Sequence, residues 1–193
     1  EQIKKLRDWP VPEYQKKYRD LFLLIFYLIG INLVDLLRLR PSDLRNGRIE
    51  YRRAKTKRIY SIEVLPEAME IINRYKGENY LISVMDNYKN HRDFTARIDR
   101  NLKKIGTVEM IANKAKDPKK IKNNVKKITP LFPDISTYWA RHSWATIAAS
   151  LDIPKETIAA ALGHGGNEIT DIYIDFDLKK VDRANRDVLE AIR

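Results

Sequence analysis

A chain of 193 residues, 44% of them hydrophobic, can bury one good core and sits near the usual size of a single domain. Its 37 Lys and Arg against 26 Asp and Glu give a formal charge of +11, which points to a polyanionic partner. The absence of cysteine excludes a disulfide framework, a thiol nucleophile and thiolate zinc sites, and suggests a reducing, cytoplasmic setting.

The chain opens Glu1-Gln2-Ile3-Lys4-Lys5, with no initiator Met and no signal or transit pattern, and reads as a fragment of a longer protein. After Pro10 and Pro12, apolar residues at Tyr18, Leu21, Phe22, Ile25, Phe26 and Ile29 recur at helical spacing from Glu13 to Gly30, which predicts one long, mostly buried helix. Its run Leu21 to Ile29 is well short of the roughly 20 residues that span a bilayer. Leu33, Leu36 and Leu37 share one face of a second helix, Leu33 to Leu39, which stops ahead of Pro41, and Ser42 suits the N-cap of a short turn.

Asn46-Gly47 marks a turn into Arg48 to Arg53, and Arg58 to Val64 alternates in the same way. The two runs predict an antiparallel hairpin with Lys55 and Lys57 at its tip. Pro66 opens a helix through Ala68, Ile71 and Ile72 to Tyr75, ending near Gly77. Tyr80 to Val84 reads as a short third strand, and Asp93 to Ile105 as a helix closed by Gly106. From Thr107 to Thr129 lysines crowd together, Lys126 and Lys127 among them, with few apolar anchors. That composition fits a basic excursion or a weak helix, with DNA contact and a plain solvated loop both open.

Helical segments at Thr137 to Ser150, Pro154 to Leu162 and Glu168 to Tyr173 precede a terminal helix, Leu178 to Ile192. Its stripe of Val181, Ala184, Val188, Leu189 and Ile192 suits packing on its own core or docking onto a neighbouring protomer. No repeat or low-complexity linker divides the chain. The expectation is one domain over residues 1–193, mainly α with a small antiparallel β-sheet (α+β).

The chemistry-bearing residues gather in the last third. Ala140-Arg141-His142-Ser143-Trp144-Ala145-Thr146 is followed by Leu162-Gly163-His164 and then by Thr170-Asp171-Ile172-Tyr173. A tyrosine hydroxyl, with a reference pKa near ~10, attacks phosphorus at neutral pH only where positive charge favours its ionisation and steadies the extra charge on the phosphate oxygens. Guanidinium groups suit that work because they stay charged and grip two oxygens at once. An ammonium or imidazolium must then give a proton to the departing oxygen. By residue type alone Tyr173 is equally a packed aromatic, Arg141 a buried ion-paired arginine, and a hairpin-tip lysine a solvating or edge-protecting one.

The set of boxes resembles the catalytic domain of the tyrosine recombinases, the phage-type integrase family, over nearly the whole chain. The resemblance implies that Tyr173 is the nucleophile and Arg141 a phosphate clamp. It implies that His164 bonds a nonbridging oxygen, that Lys55 is the general acid, and that His142 packs behind the site to orient its helix. Lys57, Arg52 and Arg53 would contact DNA. Neither metal nor nucleotide cofactor would be needed. The partner would be double-stranded DNA, engaged by a tetramer built from protomers that are monomeric in solution, and the setting a bacterial cytoplasm near the nucleoid. The amino-terminal DNA-gripping domain usual in the family has no counterpart in this chain.

Two positions depart from the family pattern. Asn32, within Gly30-Ile31-Asn32-Leu33-Val34-Asp35-Leu36, stands where the first arginine is usual, and Tyr138 stands where a histidine is usual, three residues before Arg141. Arg38 and Arg40 are the first candidates to restore the missing charge, and Arg52 or Arg53 lie within reach from the hairpin. The same gap resembles that of integrases of bacterial mobile elements.

Three other functions compete: a DNA-binding module of the same fold without chemistry, a type IB topoisomerase-like relaxing enzyme, and a helix-turn-helix regulator built around Ile153 to Tyr173. The last leaves Arg141 and Lys55 unexplained. A metal nuclease lacks the clustered carboxylates it requires.

Overall fold

The computed structural model describes residues 1–111, 125–163 and 174–193. Helix α2 (Glu13–Tyr27) is the central element, with every residue from Asp20 to Tyr27 buried. Around it pack α1 (Gln2–Asp8), α4 (Pro66–Arg74), α6 (His91–Leu102) and α7 (Thr137–Ser150). A helix apolar on several faces belongs at the centre of such a layer, which is why the run from Leu21 to Ile29 folds inward. Among the described residues no helix is long and apolar enough to cross a membrane.

The α+β expectation holds. A three-stranded antiparallel sheet takes the order β1 (Leu44–Arg45), β2 (Arg48–Arg52), β3 (Ile59–Glu63). Asn46 and Gly47, both with positive φ, make the turn between β1 and β2 that the Asn-Gly pair predicts. Ile49 faces Ile62 and Tyr51 faces Tyr60 across β2 and β3, and this inner face sits on the core. The remaining helices are α3 (Leu33–Arg38), α5 (Val84–Asn87), α8 (Lys155–Leu162) and α9 (Ile174–Glu190).

Several expectations are corrected. Ser42 caps nothing: it lies inside a 3-10 turn, Pro41–Asp43, where the Asp43 carboxylate accepts from the Arg40 backbone N–H at 2.7 Å. An aspartate two residues inside a turn reaches back more readily than a serine. Tyr80 to Val84 makes no strand; a single Lys76–Ile82 bridge forms and Val84 already starts α5. Gly106 does not close α6 but opens β4 (Gly106–Ile111), which pairs with β5 (Val125–Pro130). Neither the excursion nor the weak helix expected from Thr107 to Thr129 describes these strands: Val108 and Met110 alternate with Thr107 and Glu109 along β4, and Val108 faces Ile128 across the ladder. Residues 112–124, with Lys114, Lys116, Lys119, Lys120 and Lys122, lie outside the described residues. Helix α1, too short for a periodic signal, was not anticipated; Ile3 and Leu6 bury its inner face.

Helix α9 turns its stripe onto its own core: Val181, Ala184, Val188, Leu189 and Ile192 are all buried. Asn185, buried among them, accepts from Trp144 Nε1 at 2.8 Å and donates to the Tyr27 carbonyl at 3.0 Å.

Candidate active site

The site begins where α2 ends. Ile29 and Gly30 both take left-handed φ values, 57° and 65°, and the Gly30 N–H donates to the Ile25 carbonyl at 2.8 Å. A β-branched residue in that region is strained, and Gly30 is required for a second reason. A Cβ there would come within 2.4 Å of the Arg141 Cα, so only glycine lets α7 cross so closely.

That crossing sets Arg141. Its register on α7 follows from Ala140, Trp144 and Ala148, which repeat every four residues on the buried face. Arg141 Nη1 donates to the Gly30 carbonyl at 3.1 Å, and Nη2 donates to the Leu162 carbonyl at the end of α8. The two backbone carbonyls orient the guanidinium. Burial and then the neighbouring charge of Arg53 press the Arg141 pKa below its ordinary value, while Tyr60, Tyr51 and Tyr138 act in the opposite sense. The group stays cationic at neutral pH.

Arg53, at the end of β2, is held by α3. Its Nε lies 3.9 Å from Asp35 Oδ2, and Asp35 Oδ1 accepts from the Ala54 N–H at 3.0 Å. Asp35 is buried, so one carboxylate fixes both the arginine and the first residue of the hairpin turn. The turn is closed by Arg53 N–H to the Arg58 carbonyl and Lys57 N–H to the Arg53 carbonyl, both 2.9 Å, with Lys57 in the left-handed region. Lys55 and Lys57 stand exposed at this tip, as their place in the sequence predicts. Arg52 is exposed and donates to the Lys57 carbonyl at 2.9 Å.

Tyr60 joins the hairpin to α8. Its hydroxyl donates to the Leu162 carbonyl at 3.3 Å, the same oxygen that Arg141 holds, and its ring stacks on Tyr51 at 5.2 Å. Gly163 has φ 68°, and a Cβ there would fall 1.6 Å from the Tyr60 hydroxyl. Burial, first of all, raises the Tyr51 phenol pKa, which keeps it neutral.

The remaining positions read as follows. The Asn32 side chain accepts from the Val34 N–H at 3.0 Å, so the residue in the first-arginine place N-caps α3. Arg40 is held elsewhere: its guanidinium lies 4.0 Å above the Tyr80 ring and donates to the Asn79 carbonyl at 2.8 Å. Arg38 is exposed. Tyr138, one turn ahead of Arg141, is 69% exposed. His142 is exposed as well, and the expectation that it packs behind the site is corrected, because the core face of α7 is taken by Ala140, Trp144 and Ala148. His164, Tyr173 and the segment Glu168 to Tyr173 lie outside the described residues; α8 ends at Leu162 and α9 starts at Ile174. No group of three or more His, Asp or Glu placed to hold a metal occurs among the described residues.

Sequence reasoning missed Asp35 and Tyr60. The cross-strand pairing of Tyr51 with Tyr60 was available as a signal for the second; nothing local marked the first.

No curated protein and no solved structure matches the chain. The model that describes the phage integrase family matches residues 1–179, which span every element described above from α1 into α9. With that span, the chain belongs to the phage integrase family, whose members bind DNA and act in site-specific recombination.

Proposed function

We propose that this domain is an active tyrosine recombinase in which Tyr173 attacks the scissile phosphate, leaving a 3′-phosphotyrosyl link and a free 5′ hydroxyl. The attack breaks the bond from phosphorus to the 5′ oxygen, and that oxygen takes a proton from Lys55. Attack by the 5′ hydroxyl of a partner strand reverses the link and restores the phosphodiester, for integration or excision of a mobile element. Arg141 and His164 hold the nonbridging oxygens, and Tyr138 donates the hydrogen bond usually given by a histidine.

The observation that carries this reading is the placement of two arginines on the elements that meet at Gly30 and the hairpin turn: Arg141 held by the Gly30 and Leu162 carbonyls, and Arg53 held by Asp35. The positive charge of Arg53 acts on Arg141, and a phosphate with oxygens within reach of both guanidinium groups would be stabilised by the two together. Asp35 offsets part of the charge and fixes its direction. We therefore assign the role left open at Asn32 to Arg53, ahead of Arg38 and Arg40, since Arg40 is engaged by Asn79 and Tyr80. Double-stranded DNA is the substrate, and a tetramer on two paired duplexes is the assembly in which exchange would occur.

The test uses nicked duplexes with a randomised core, which trap a covalent adduct when the short 5′ fragment diffuses away. Denaturing gels should show a protein–DNA adduct that is absent with Tyr173→Phe. Arg53→Ala should reduce adduct formation by about 100-fold or more, the scale seen when a phosphate-stabilising group is removed, roughly 3 kcal/mol. The Arg38→Ala, Arg40→Ala double variant should keep most of it. The opposite ranking would return the role to α3 and the residues just beyond it. DNA binding without any adduct would favour the degenerate binding module, for which the capped Asn32 is the supporting observation.

A further inference from the structure

We infer that Arg48 is a positioning residue for strand cleavage: through Asp182 it sets the register of α9, the helix whose first residue follows Tyr173 in the chain, against the elements that carry Lys55 and Arg141. The inference rests on the assignment of Tyr173 as nucleophile.

Arg48 opens β2, the strand that leads to the lysine tip. Its Nη1 and Nη2 donate to the two oxygens of Asp182 at 2.7 and 3.1 Å, the paired geometry that fixes direction as well as distance. Its Nε donates to Ser61 Oγ at 2.8 Å and its Nη2 to the Ser61 carbonyl at 3.1 Å. One partly buried guanidinium thus joins β2, β3 and α9. Three residues further along α9, about one turn, Asn185 is joined to Trp144 on α7 and to the end of α2. Helix α9 is therefore pinned to the hairpin of Lys55 by an ion pair and to the helix of Arg141 by a buried amide. It begins at Ile174, the residue after Tyr173.

An apolar stripe alone would set this register weakly, because alanine and valine contacts tolerate a slide or a small rotation. Polar groups with single partners do not. Rotation of α9 by one residue would bring Arg183 toward Arg48 and replace attraction by repulsion. The same rotation would leave Asn185 buried without its two partners. Eight residues separate Tyr173 from the Asp182 pin by way of Ile174, so a few degrees of helix rotation there shift the start of α9 by a fraction of an ångström. Such shifts matter in attack on phosphorus.

The experiment compares wild type, Arg48→Ala, Asp182→Asn, the double variant and the exchanged pair Arg48→Asp, Asp182→Arg. Single-turnover adduct formation is read at saturating protein on a nicked duplex, with DNA affinity and thermal midpoint measured on the same samples. Each single variant should form adduct at least 10-fold more slowly, with DNA affinity changed less than twofold. The double variant should be no slower than the slower single one, and the exchanged pair should recover much of the rate. Asp182→Asn keeps the side chain's shape, so it reports on the charge even if Arg48→Ala folds poorly. Wild-type rates in both single variants, or slowing that multiplies in the double, would overturn the inference while leaving the tyrosine assignment intact. A wild-type protein that binds DNA and forms no adduct would overturn the assignment and the inference together.

Discussion

Among the described residues the strand pairs β2 with β3 and β4 with β5 are of nearly equal length, and they are held in opposite ways. The pair β2 and β3 is tied at three heights: Arg48 to Asp182 at its base, Tyr60 to the Leu162 carbonyl along its inner face, and Ala54 and Arg53 to Asp35 at its tip. The pair β4 and β5 packs chiefly on itself, with Val108, Met110 and Ile111 exposed at 53, 57 and 42%. The backbone ladders are alike, so the ladder by itself does not show whether a hairpin's tip is fixed. Side-chain ties to helices do. A lysine on a flexible stem gains little from a preformed strand unless the turn beneath it is fixed, and in this fold one buried carboxylate fixes it.

The strongest way to break this contrast is at the glycine that lets α7 meet α2. Gly30→Ala would place a Cβ 2.4 Å from the Arg141 Cα in a left-handed conformation. The obstacle is helix backbone and cannot swing aside. Loss of about 3 kcal/mol or more is expected, read by chemical denaturation, with Arg141 and the whole tied side displaced. A loss below about 1 kcal/mol would mean that the crossing is looser than the geometry indicates.

Next in size is Asp35→Ala. It leaves the Ala54 N–H without its partner and frees Arg53, for about 2 kcal/mol of stability. Its effect on chemistry should be larger than its effect on folding: adduct formation should drop by about 100-fold, because the tip lysine and Arg53 both lose their anchor. If stability falls but cleavage at a permissive temperature does not, the tie at the tip is structural only and the contrast between the hairpins loses its functional meaning.

Tyr60→Phe sharpens the comparison further down the scale. The bond removed is long, at 3.3 Å, and the Leu162 carbonyl still accepts from Arg141, so about 0.5 to 1 kcal/mol is expected by denaturation. The ring keeps its stack on Tyr51, and the strand register should not change.

How far the sequence alone reveals this arrangement depends on the range of the interactions involved. Helices α2, α7 and α9 are legible because their apolar residues repeat at helical spacing within a single segment. The hairpin tip is legible because alternation breaks between Arg53 and Arg58. The carboxylate that organises that tip is not, because Asp35 in Leu33-Val34-Asp35-Leu36-Leu37 looks like the polar face of an amphipathic helix. Its hydrogen-bond partner is a hairpin-turn residue 19 positions away. The first-arginine gap is legible only in part: Asn32 is visible as a departure and its N-cap of α3 is local, but the hold of Asp35 on Arg53 arises only when α3 and the hairpin meet. Charged residues also misled by density. The lysines of residues 107–129 hid the short alternation of Thr107 to Met110 in β4.

The smallest expected effect concerns the untied hairpin. Replacing Thr107 to Thr129 by a short Asn-Gly turn removes most of both strands, yet the junction beneath is closed independently by the Leu131 N–H donating to the Ile105 carbonyl at 2.7 Å. A two-stranded ribbon contributes little stability of its own, and here it shields little of the core. The thermal midpoint should therefore move by no more than corresponds to about 0.5 kcal/mol, and the rate of adduct formation at saturating protein should stay within twofold. A marked loss of stability would show that β4 and β5 are tied after all, through groups outside the described residues. A marked loss of cleavage rate with stability intact would mean that a free ribbon takes part in placing the DNA, and that ties to helices are not the only way this fold recruits a hairpin to the reaction.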